Sequence, residues 1–216
     1  MGTDIHYDFQ KKVKKDDREI WETIIIDDEN YDSPHYIPRN YLLFSVLADV
    51  RNGTGFGGVI TYKPVVPISE PRGLPDDLPR DEDGKDTSRE GWCFNESEED
   101  WYYGDHSYSH LSSEEILDYF KNKAVTTRTG IIGRSQYLNW DRVAQPIAWA
   151  GGVWAQDVKV LETVDGDYPE TLADDITHVR VSWDVDICEA LEFFKKMIEN
   201  LVEEHGPIRM VFGFDS

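Results

Sequence analysis

Asp4 and His6 stand two residues apart in the opening Asp-Ile-His, and Asp105 and His106 are neighbours further along the chain. At strand spacing Asp4 and His6 point the same way. Carboxylate oxygen and imidazole nitrogen are the donors that a Zn²⁺, Mn²⁺ or Fe²⁺ site uses, and a divalent metal held by the four would activate water for hydrolysis. Such short patterns also arise by chance, and an isolated histidine is more often a hydrogen-bonded packing residue. A second chemistry is binding without turnover. Arg39, Asn40, Arg51, Asn52, Gly53 and Gly55 crowd into the stretch RNYLLFSVLADVRNGTGFGGVI at 39–60. With Ser107, Ser109, Arg180 and Asp215 they are suited to a small anionic ligand, a phosphate-bearing or nucleotide-derived one among them. Glycine at 53, 55, 57 and 58 lets backbone N–H groups come close to an anion or to another segment. The bland alternative is a tight turn into a strand at 59–62, and the loop lacks the Gly-Lys-Ser/Thr ending of a P-loop. The sequence contains no G-x-S-x-G elbow and no Ser-His-Asp order of a hydrolytic triad.

The elements that must position these residues are legible in part. Ile5, Tyr7 and Phe9 alternate with Asp4, His6, Asp8 and Gln10, which predicts a half-buried strand over 4–13. A polar turn at 14–17 and a β-branched run over 18–26 predict a returning hairpin arm. Leu42, Leu43, Val46, Leu47 and Val50 predict a helix with one buried face, opened by Asn40 and closed at Asn52-Gly53. Ser112 and Glu115 form a capping box for a helix over 111–124, with Leu111 and Ile116 at staple spacing, so Asp105–His110 reads as a polar cluster at a helix N-terminus. Residues 129–133 read as a strand, 140–143 as a short turn and 153–164 as one or two strands. Val179, Val181, Trp183 and Val185 alternate with His178, Arg180, Ser182 and Asp184 as a strand. A helix over 187–205, opened by Asp186, and a last strand over 208–215 complete a terminal β-α-β unit. The class is therefore α+β: a mixed or antiparallel sheet with about three helices packed on one face and a long irregular insertion. If the apolar strand faces meet the helices, the outer face carries Asp4, His6, His178, Arg180, Ser182, Asp184, Arg209 and Asp215.

At 216 residues with 39% hydrophobic content the chain suits one domain with a sizeable core. The irregular acidic excursion falls at about 64–105, where Pro64, Pro67, Pro71, Pro75 and Pro79 exclude long helices and interior strands. Residues 70–105 hold thirteen acidic and four basic side chains, while Trp92, Phe94, Trp101, Tyr102 and Tyr103 suggest a segment that packs down as a lid, ligand wall or structural flap. A net charge of −21 makes direct nucleic-acid binding unfavourable. The same charge suits a basic host protein as partner, through imitation of nucleic acid, or adaptation to high salt. Two cysteines, Cys93 and Cys188, without a C-x-x-C pair fit a reducing cytoplasm, and no apolar run approaches membrane-spanning length. Oligomerisation is left open.

The blocks MGTDIH, RNYLLFSVLADVRNGTGFGG, PRGLPDD, HSYS before a capped helix, and the terminal VFGFDS lie along the whole chain in a fixed order. Together they resemble a group of phage and bacterial proteins opening Met-Gly-x-Asp-Ile-His. That resemblance implies phage or prophage origin and specifies no reaction. It falls on Asp4, His6, Arg39, Asn40, Arg51, Asn52, Asp105, His106, Ser107 and Asp215. Three readings follow: a host-cytoplasmic phage protein that binds a small anionic ligand and blunts a host response by sequestration, a metal-dependent hydrolase, or an acidic inhibitor of a host protein.

Overall fold

The computed structural model describes residues 2–26, 31–78, 103–163 and 166–215. The aromatic part of the acidic excursion at 92–102, Cys93, and acidic positions 81 and 83 lie outside them. The fold is α+β, with two sheets rather than one.

The first sheet runs β2-β1-β7-β3, antiparallel throughout: β1 is Asp4–Lys15, β2 Arg18–Thr23, β3 His106–Ser112 and β7 Ile208–Asp215. The hairpin is as expected, with Asp16 and Asp17 both at positive φ in its turn. On the inner face Tyr7, Phe9, Leu111, Met210, Phe212 and Phe214 pack against α1 (Tyr41–Ala48), α2 (Ser113–Tyr119), α4 (Ile187–Ala190) and α5 (Glu192–His205). Helix α1 is flanked as its sequence predicts at one end only. The Asn40 side chain accepts from the Leu43 N–H, but the helix stops at Ala48, where Asp49 takes the left-handed conformation. All residues from Leu42 to Ala48 are buried, so α1 is enclosed rather than one-faced.

The outer face of this sheet is also covered at its centre. Asp8 and Gln10 are 1% and 0% exposed, contrary to a half-buried strand. Leu78 and Tyr103, the two described ends of the excursion, cluster on Val211, and the Tyr103 hydroxyl donates to Asp8 at 2.8 Å. Beside them Arg209, itself buried, donates to Gln10 and Asp77 and lies 4.3 Å from the Trp21 ring.

Several expectations are corrected. Residues 106–112 pair with β7 as a strand, so the Asp105–His110 cluster is not a helix cap; the Ser112–Glu115 box caps α2 as its sequence predicts, and α2 ends at Tyr119 rather than at 124. The predicted 187–205 helix breaks at Leu191, where the Asp186-capped turn α4 meets α5. The terminal β-α-β is not a unit, because β6 (His178–Asp186) belongs to the second sheet, order β4-β6-β5, with β4 at Val125–Gly133 and β5 at Val160–Leu161. There β4 and β6 are antiparallel and β5 and β6 parallel. Among the described residues β5 is the one strand within the 153–164 stretch, and α3 (Arg134–Asn139) forms where the sequence predicts no helix. A second apolar cluster, Ile132, Tyr137, Val179, Val181 and Trp183, underlies this sheet.

The two sheets are joined by the segment that follows the glycine loop. Tyr62 bridges Arg128, the Lys63 N–H donates to Thr127 and the Thr129 N–H to Thr61. Residues 61–63 therefore run along the free edge of β4. That contact sets the N-terminus of α1 beside the second sheet and forms the walls of the cavity between them.

Candidate functional site

A cavity of 460 Å³ opens at this junction. The start of α1 contributes Arg39 to Leu42, the glycine loop and its return contribute Gly55, Phe56, Val59, Thr61 and Tyr62, and the second sheet contributes Arg128 with Trp149, Gly151, Gly152 and Trp154. Of the anion-binding set expected from sequence, Arg39, Asn40 and Gly55 line it.

The side chains in the cavity are held by identifiable partners. Tyr62, buried at the base, shares its hydroxyl with Ser45 Oγ at 2.6 Å and reaches the Tyr41 and Arg51 carbonyls. Burial pushes its phenol above the usual tyrosine value. Arg39 is clamped by both oxygens of Asp4, which raises the guanidinium further and largely neutralises it. Arg128 differs. It is half-buried, lies 5.3 Å from the Trp149 ring and makes no hydrogen bond or ion pair among the described residues. Burial pulls its pKa below the ordinary arginine value, the mark of a cation that has lost water without gaining a carboxylate. It stays charged, since arginine does not deprotonate in proteins.

The mouth is aromatic. Phe56 is 62% and Trp154 80% exposed, and the Trp154 ring rests on Gly152, where a Cβ would stand 2.7 Å from it. Exposed rings on a cavity rim have an apolar face to offer.

Three N–H groups of the glycine loop are spent within the loop: Thr54 donates to the Arg51 carbonyl, Gly55 to that of Val59 and Gly58 to that of Gly55, while the Gly53 carbonyl accepts from Thr61. Gly53, Gly57 and Gly58 have positive φ, so glycine is there to close the turn. Asn52 is equally occupied, bonded to Asp49 and to both backbone groups of Val65. Arg51 donates to Thr3 Oγ1 at 2.9 Å and faces the Tyr41 ring.

The remaining expected residues divide into three places. Asp4, His6 and Asp215 meet at the end of the first sheet: His6 Nε2 is 3.0 Å from Asp215 Oδ2, and the Asp4 N–H donates to the other Asp215 oxygen. Burial works to raise the Asp215 carboxyl, but His6 and the Asp4 N–H outweigh it and hold it below the usual range. Asp105 and His106 lie across β7, His106 stacked on Phe214 and bonded to Ser107 Oγ, which sits at positive φ in a bulge. Among the described residues no three His, Cys, Asp or Glu side chains converge as metal ligands, so Asp4, His6, Asp105 and His106 are not drawn into one quartet. Ser109 is buried and accepts from the Arg72 N–H. Arg180, in the second sheet with His178, Ser182 and Asp184, is paired with Glu162. The shared outer face expected for these residues and Asp4 does not exist.

Sequence reasoning missed Arg128, Trp149 and Trp154. A signal was present for the first: in β4, Arg128 shares a face with Gly130 and Ile132 and pairs with Trp183, a cation on the apolar side of an alternating strand. Trp149 and Trp154 lie in irregular chain, where no periodicity marks a facing direction. No protein-family model, no curated protein and no solved structure matches this chain. Among the described residues no helix is long and apolar enough to cross a membrane.

Proposed function

We propose that this protein binds a small organic anion in the Arg128 cavity and acts by sequestering it. One observation carries the reading. In a chain with 43 acidic and 22 basic side chains, the cavity lining holds two arginines and, among the described residues, no carboxylate. Among the described residues Arg128 has no counter-ion and sits in a half-desolvated position, an arrangement that costs stability unless an anion completes it. Among the described residues the lining holds no carboxylate, histidine or cysteine, which favours holding over turnover. With the resemblance to phage and bacterial proteins, this supports a phage-encoded protein of the host cytoplasm that withholds a nucleotide-derived ligand from a host response.

Native mass spectrometry of the purified protein tests the proposal. The wild type carries, or takes up from a metabolite extract, one organic anion that is recovered unchanged on denaturation. Arg128→Met is folded and empty. An equal load on the Arg128→Met variant would remove the proposal, as would a wild type that takes up nothing.

A further inference from the structure

Resting on that anion-binding reading, we infer that the ligand is a nucleoside monophosphate, its base stacked at the mouth on Phe56 and Trp154 and its single phosphate on Arg128. Each half of the ligand answers a separate feature of the cavity.

The phosphate end is set by counting charges. Arg39 is already matched by Asp4, so among the described residues Arg128 is the cation in the lining without a carboxylate partner. The first residues of α1 line the same cavity. Asn40 caps the Leu43 N–H, leaving those of Tyr41 and Leu42 without an acceptor inside the helix. One guanidinium with a helix start suits one phosphate group. A di- or triphosphate brings charge that nothing in the lining balances. It also calls for Mg²⁺, which is bound through one or two protein carboxylates together with the phosphates, and no carboxylate lines the cavity among the described residues.

The base end is set by the rim. Phe56 and Trp154 come from different sheets' connections yet border the same opening, both largely exposed. A flat, uncharged ring covers that apolar surface, and stacking tolerates any base. The volume sets the size: 460 Å³ lies low in the range of about 300–1,000 Å³ for small-molecule pockets, room for one nucleotide rather than two.

Titration calorimetry on the full chain separates the two claims. The probes are the four common nucleoside 5′-monophosphates, their triphosphates, ribose 5-phosphate and inorganic phosphate. At least one monophosphate should bind one-to-one and about tenfold or more tighter than ribose 5-phosphate and than its own triphosphate, the scale of one stacked base. Trp154→Ala should remove about that factor for the monophosphate and leave ribose 5-phosphate unchanged. Trp154 is exposed, so this variant keeps its fold. Ribose 5-phosphate binding as tightly as every monophosphate, a triphosphate binding tighter, or indifference to Trp154→Ala would overturn the nucleotide assignment while the anion site stands. No binding of any probe would overturn the nucleotide assignment, and binding unaltered in Arg128→Met would overturn both.

Discussion

Two arginines face the same cavity and do different work. Asp4 fixes Arg39 as part of a chain of contacts running through Asp215 to His6, so Arg39 shapes the wall. Among the described residues the side-chain partner of the Arg128 guanidinium is the Trp149 ring, which holds it in place without spending its charge. A third arginine shows what full pairing does. Arg72 donates to Glu115, whose carboxylate also accepts from the Ser112 N–H and hydroxyl in the capping box of α2. Arg72 foremost, and then the Ser112 groups, overcome burial and lower Glu115 from 4.5 to about 2. Because the folded pKa is depressed, this stabilisation is fully present above the unfolded value and is lost as pH falls from about 4.5 towards 2. Glu115→Gln should therefore cost about 1 kcal/mol at neutral pH, after discounting for solvent screening of a partly exposed pair. Urea denaturation at pH 7 and at pH 2 checks it: the difference between variant and wild type should shrink at the lower pH.

Among the elements, β7 is the one on which both faces of the first sheet depend. Every residue from Ile208 to Phe214 is buried, with Phe212 and Phe214 towards the helices and Val211 and Gly213 towards the excursion. Gly213 has no side chain because the Tyr103 carbonyl lies directly over it and the Tyr108 ring beside it, 2.8 Å from where a Cβ would stand. The covering segment can reach the sheet only at such a gap. Gly213→Ala should cost about 1–3 kcal/mol, since backbone rather than a flexible side chain must move. Denaturant titration measures this, and an unchanged midpoint would mean that residues 103–108 are not seated on β7. The alternation of 208–215 predicts this strand well. It does not predict that both faces are covered, because the covering residues lie more than a hundred positions away.

On the scale of the whole molecule the dominant quantity is the charge of −21. Ion pairs at the surface, such as Lys12–Glu19, Lys195–Glu199 and Lys196–Glu192, are local and exposed. They leave a net self-repulsion that salt screens over about 8–10 Å at physiological ionic strength. Stability should rise with added salt; a gain of roughly 1 kcal/mol would appear as about 2–4 °C in Tm for a chain of this size. Differential scanning fluorimetry across a NaCl series measures it, and a falling Tm would show that paired charges outweigh the repulsion. The Arg128 cavity stands apart from this acidic whole, with two arginines and no carboxylate in its lining among the described residues.

The sequence by itself determined the pieces whose signals are local. Alternation marked β1, β6 and β7, the Ser112–Glu115 box marked α2, Asn40 marked the start of α1, and composition marked the acidic excursion. These follow from side-chain periodicity and from hydrogen bonds within a few residues, which a linear chain displays. Only the tertiary structure decided that the described strands form two sheets, that the glycine loop spends three of its N–H groups on itself, and that β4 carries the cavity's arginine without a carboxylate partner among the described residues. Each of those outcomes depends on which strand edge meets which. The edge of β4 accepted residues 61–63, and a pairing between segments some sixty positions apart leaves no periodic trace. Arg128 is an ordinary strand residue until that pairing brings α1 and the glycine loop over it.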